Sequence, residues 1–131
     1  LDWDVDGISI IINEVKRPAN DVVKQGNEFN SDPKAGNEYL MVKLTLQCTK
    51  ASDKKCNFLS PNAKLSGSSG ILNDIEIMIA GVPDLLETTE FYGGASTSGW
   101  LIYQVKQGET DLVLSIEPFL SLDKAFFSVG Q

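Results

Sequence analysis

The 131-residue chain contains no histidine. That removes the usual general base, the usual zinc ligand and the one side chain whose ordinary pKa lies near neutrality. No run of about 18 apolar residues is present either, so no stretch reads as a membrane-spanning helix. Basic residues are scarce: 11 Lys and Arg against 18 Asp and Glu leave a net charge of −7, which repels a phosphate backbone. Nucleic acid is therefore not an expected partner. No basic segment leading into an apolar one opens the chain, so any secretory or lipid-anchoring segment is expected upstream of Leu1. The length suits one domain, and a folded chain of this size hides roughly two thirds of the surface it exposes when unfolded.

Cysteine is also rare. Cys48 and Cys56 stand eight positions apart with TKASDKK between them. Two thiols without histidine fall short of a structural zinc site, which takes four ligands. A disulfide closing the end of a β-hairpin is the favoured reading, and a loop this short gives it about 2.6 kcal/mol in the chain-entropy model. Two free, buried cysteines of a cytosolic protein are the competing one. A bridge would place the chain outside the reducing cytosol.

What the sequence does have is alternation. In Tyr39–Cys48 (YLMVKLTLQC), Leu40, Val42, Leu44, Leu46 and Cys48 share one face of a strand. Gly7–Val15 aligns Ile8, Ile10 and Ile12, and Asp74–Ala80 aligns Ile75, Ile77 and Ile79. Gly99–Val105 and Asp111–Ile116 read as a hairpin turning through 106–110, and Phe126–Val129 as a last short strand. Gly, Pro, Asn and Ser cluster between these segments, at 17–37, 60–70 and 93–99, which points to an antiparallel sandwich. The helical candidate is Pro83–Thr89, of one or two turns. The connection 17–37 is long enough to be functional or mobile. Within it GNEF at 26–29 echoes GNEY at 36–39, which reads either as a sign of an extra short strand around Asp21–Val23 or, equally, as coincidence.

The segments GNEYLMVKLTL at 36–46, GASTSGWLIYQV at 94–105 and DLVL at 111–114 resemble a family of secreted bacterial immunoglobulin-like domains of unknown function. That family occurs in lipoproteins and other cell-envelope proteins, chiefly of Gram-positive bacteria. The likeness runs from about Gly7 to Val129. Its motifs are a G-x-x-Y/F before one alternating strand and a G-x-x-x-x-G before another that carries an aromatic; no catalytic residue defines it. The chain departs from the pattern where an asparagine commonly follows the central strand, since Gln47-Cys48 stands there. The cysteine pair can do locally what that asparagine's hydrogen bonds would do.

Each chemical constellation has a plainer reading. DWDVDG at 2–7 opens like an EF-hand loop, with Asp2, Asp4 and Asp6 in the first, third and fifth positions and Gly7 in the sixth. The twelfth position needs Glu and holds Asn13, with Glu14 one place late, so no EF-hand is expected; a polar, frayed chain end without metal is the favoured reading and a looser calcium site shared with a neighbouring loop the competing one. The serines of Ser66–Gly70 and Gly94–Gly99 lie outside any G-x-S-x-G, and only a lysine such as Lys64 or Lys106 is left to activate them. Glu87, Glu90, Glu109 and Glu117 read as solvated surface rather than a glycosidase pair. Gly94 to Gly99 has phosphate-loop spacing, but Trp100 follows where Lys is required. Alternation places Leu101, Tyr103 and Val105 inside and Trp100 on the outer face, under a cover that Phe91–Gly94 could supply.

The expectation is thus an all-β, immunoglobulin-like antiparallel sandwich of about seven strands with one hairpin disulfide, spanning 7–131 behind a frayed segment 1–6. Its expected role is non-catalytic and without cofactor: an extracellular or surface module binding a protein or envelope component through Trp100, Tyr92 and Phe29. A carbohydrate-binding module using exposed aromatics is the alternative.

Overall fold

Alternation becomes pairing wherever two such segments lie side by side. The computed structural model describes residues 2–5, 7–117 and 125–130. Among them are nine strands: β1 (Asp2–Val5), β2 (Ile8–Lys16), β3 (Asn37–Cys48), β4 (Lys55–Phe58), β5 (Ala63–Ser66), β6 (Thr89–Tyr92), β7 (Ser96–Lys106), β8 (Leu112–Ile116) and β9 (Ala125–Gly130). All the pairings between them are antiparallel. One sheet has the order β1-β2-β3-β7, a second is β4-β6 and a third β5-β8-β9. Of the segment 1–6, expected to fray, Asp2–Val5 pairs with Ile8–Ile11 as an edge strand across a turn at Gly7, φ 78°, while residues 1 and 6 lie outside the described residues.

The core lies between the first sheet and the other two. Ile8, Ile10, Leu40, Val42, Leu44, Leu46, Leu101, Tyr103 and Val105 face Phe58, Leu65, Leu112, Leu114, Ile116 and Phe127, all buried. A fully buried leucine such as Leu44 contributes about 1.5–3 kcal/mol. The Cys48–Cys56 disulfide forms, with Cα atoms 5.7 Å apart. Its two strands belong to different sheets, so it staples the end of β3 to the small β4-β6 sheet.

Three expectations about the strands change, and one about a helix. First, β7 and β8 do not form a hairpin: β7 pairs with β3 and β8 with β5 and β9, so 106–111 crosses from one sheet to the other. Second, 21–23 is helix rather than strand. Helix α1 (Asn20–Gly26) forms because Ala19, Val22 and Val23 fall at i, i+3 and i+4, and their face packs with Tyr39, Met41, Val82 and Ile102 on the outer side of β3 and β7. Pro83–Thr89 is not helical. Third, 74–80 alternates but is not a strand. Among the described residues its backbone bonds to β7 at Glu76, and the neighbouring Asn73 bonds to β5, so most of its backbone has no adjacent strand to pair with.

Candidate interaction surface

Residues 70–88 form a strap that leaves the edge of β5, crosses the edge of β7, and returns to β6. Four sets of hydrogen bonds tie its backbone to the sheets and to Asn30. Asn73 exchanges backbone hydrogen bonds with Leu65 at 3.0 and 2.7 Å, and the Glu76 N–H donates to the Ile102 carbonyl at 2.7 Å. The buried Asn30 amide donates to Ala80 O and Val23 O and accepts from the Ala80 N–H, at 2.8–2.9 Å. Finally the Trp100 N–H donates to Asp84 O while the Leu86 N–H donates to Trp100 O, both at 2.8 Å. The last approach needs Gly99, where a Cβ would meet Asp84 O and Leu86 N at 2.8 Å.

This anchored strap exposes aliphatic side chains. Ile71 is 48% exposed, Leu72 57%, Ile77 77% and Met78 88%. Ile77, expected on a buried face, points to water. A groove of about 240 Å³ runs between strap and β7, lined by Ile75, Glu76, Ile77, Leu85, Glu87 and Trp100. One oxygen of Glu76 accepts from Gln104 Nε2 at 3.0 Å.

The three aromatics singled out from sequence end up apart. Trp100 does lie on the outer face of its sheet, half-buried, with Lys43 Nζ 5.9 Å from its ring centroid. Its cover is the strap's Val82–Leu85, not Phe91–Gly94, because the backbone bonds at Asp84 and Leu86 draw that segment alongside it. Tyr92, 53% exposed, sits on β6 beside Lys55, whose ammonium is 5.6 Å from the ring and 3.1 Å from Glu90 Oε1. The Glu90 hydrogen bond and charge raise the Lys55 pKa above its ordinary value. Phe29, 86% exposed, follows α1 in a turn closed by its N–H on Asn27 Oδ1. It stands next to Asn30, which ties it to the strap at Ala80. Trp100 lines two grooves, and neither of them includes Tyr92 or Phe29.

A larger, polar cleft of about 390 Å³ opens within 20–39, lined by Asp21, Lys24, Asp32, Lys34 and Tyr39. Its charges balance internally: Lys24 Nζ lies 3.2 Å from Asp32 and donates to Asn30 O at 2.6 Å. Of the carboxylates considered from sequence, Glu90 is engaged by Lys55 and Glu109 is buried against Gly67, with no hydrogen-bond partner for Oε2 among the described residues. Lys64 pairs with Asp74. Asp2 and Asp4 lie on the extended β1, and Asp6 is outside the described residues. Among the described residues no group of three or more Cys, Asp or Glu is placed to hold a metal ion.

The missed feature is the aliphatic strap. Its signal was charge rather than hydropathy: Leu65 to Val105 contains no Lys or Arg and five carboxylates, Asp74, Glu76, Asp84, Glu87 and Glu90.

Residues 3–125 match the profile of a domain of unknown function, DUF4352. No curated protein matches the sequence. Several solved structures share the fold. In ycdA of Bacillus subtilis, assigned as a lipoprotein, the likeness has a TM-score of 0.76 at 14% identity and covers 98% of this chain but 38% of that one. The yjhA protein of the same organism gives 0.69 at 11% identity, over 98% of this chain and 96% of that one. MPT63, a secreted protein of Mycobacterium tuberculosis, gives 0.58 at 9% identity, over 92% and 86% respectively. At these identities the likeness is one of fold. The chain spans well under half the length of ycdA.

Proposed function

This chain belongs to the DUF4352 family of domains of unknown function, and from that premise we propose that it is a non-catalytic interaction module of a bacterial secreted protein or lipoprotein, working outside the reducing cytosol. Its target is a protein or another envelope component. We read the sandwich as immunoglobulin-like. The observation that carries the reading is the buried Cys48–Cys56 bridge between two sheets: disulfides persist in oxidising compartments and are rare where glutathione keeps thiols reduced. Fold likeness to a secreted protein and to one assigned as a lipoprotein supports it. The absence of histidine from the sequence supports the non-catalytic part.

The test is made on the native protein in its own cells. Fractionation should recover the chain in the envelope or medium, with both cysteines blocked to a maleimide until a reductant is added. Cross-linking of intact cells should give covalent adducts with an envelope component. Recovery in the cytosol with free thiols would overturn the reading.

A further inference from the structure

We propose that the strap 70–88 is the docking site for a cationic, apolar segment of a partner protein. The proposal rests on the interaction-module reading and names the partner's chemistry. Its ground is the coincidence of two properties on one ordered element.

The first property is exposed aliphatic surface. Monomeric proteins seldom hold several large apolar side chains in water on a pinned backbone, and a contiguous apolar patch with a polar rim marks an interaction site. Here Ile77 and Met78 are each more than three quarters exposed, although the backbone around them is tied down at Glu76 and Ala80. Methionine suits such a role because its unbranched, polarizable side chain adapts to varied partners.

The second property is one-signed charge. Of the five carboxylates between Leu65 and Val105, Asp74 pairs with Lys64 and Glu90 with Lys55. Glu76, Asp84 and Glu87 have no cation within ion-pair distance among the described residues, and Glu76 and Glu87 line the same groove as Ile77. Complementarity then calls for lysine or arginine beside apolar side chains.

Charge also decides against the other occupants. An anionic lipid surface meets the same negative rim and is repelled. A second copy docked about a two-fold axis would set the strap's carboxylates against themselves. A sugar ring would want exposed aromatic faces, and the strap's exposed side chains are aliphatic. The edge of β7 beside the groove already bonds the strap at Trp100 and at the Ile102 carbonyl, so the segment lies over the strap rather than extending the sheet there.

Fluorescence anisotropy on the purified chain tests this with three dye-labelled peptides: alternating Leu/Lys, alternating Leu/Glu and alternating Ser/Lys. The Leu/Lys peptide should bind tightest, weaken as salt screens the carboxylates, and lose about tenfold or more in affinity with the double substitution Ile77→Ser, Met78→Ser. The pair Glu76→Gln, Glu87→Gln should weaken it with a flatter salt dependence. Both variants alter exposed or groove-lining side chains, and unchanged thermal melts would confirm their folds. Equal binding of Leu/Glu, an unchanged affinity in both variants, self-association lost on Ile77→Ser, Met78→Ser, or binding to anionic vesicles lost on that substitution would each overturn the proposal. Cross-linked adducts that persist in cells alongside a negative anisotropy result would sink the strap and leave the module reading standing. Cytosolic recovery with free thiols would sink the module reading itself.

Discussion

Tyr103 shows how much of the structure is decided by single polar atoms inside it. Alternation places its ring in the core, yet only the fold supplies its partner, the Ala63 carbonyl 2.6 Å from the phenol oxygen in another sheet. Tyr103→Phe keeps the packing and orphans that buried carbonyl, a loss of about 1–3 kcal/mol at neutral pH. Burial, with a smaller contribution from the charge of Asp74, holds the Tyr103 pKa well above its ordinary value of 10.0. Folding thus favours the neutral phenol. The stabilisation is complete below pH 10.0 and drains away as pH rises from there towards the raised folded value. Tyr39 shifts the same way, through burial first and then Glu76 and Asp32. Urea midpoints of wild type and Tyr103→Phe should therefore differ most at neutral pH and converge above pH 10.0. Trp100 was legible at this scale, since a period of two settles its face; Phe29 and Met78 were not, because exposure depends on what else passes nearby.

Elements were legible in proportion to their regularity. β2, β3, β7, β8 and β9 follow from alternation, whereas β4, β5 and β6 are four residues each, too short for a period to stand out. The strap alternates as well as β2 does and is not a strand, since alternation says which side chains would share a face and not whether a neighbour exists to pair with. Helix α1 escaped because seven residues span two turns and its Asn20, instead of capping the helix, accepts from the Tyr39 N–H at 2.8 Å. The disulfide belongs to this scale too. Replacing both cysteines by alanine should lower stability by about 2–3 kcal/mol. The β4-β6 pair should feel it first, since two strands alone are marginal in water. Urea denaturation of the variant against the oxidised protein, followed by amide exchange at Lys55–Phe58, checks both parts.

For the molecule as a whole, protection should follow layering. β3 is flanked by β2 and β7, its inner face lies in the main core, and its outer face at Tyr39 and Met41 lies under α1 and Val82. Native-state hydrogen exchange should find the slowest amides between Leu40 and Leu46. The strap amides outside its four anchors should be among the fastest, and equal protection of strap and β3 would contradict the layering. The sequence alone settled the all-β class, the inner faces of the long strands, the close spacing of the two cysteines and the acidic balance, because each is local: a period, a spacing or a sum. Only the tertiary structure decided that β7 and β8 part into different sheets, that the disulfide joins two sheets, and that Ile77 and Met78 stay in water beside Glu76. Those outcomes turn on which segments compete for the same edges and faces, a matter of distances across the fold that no local pattern encodes.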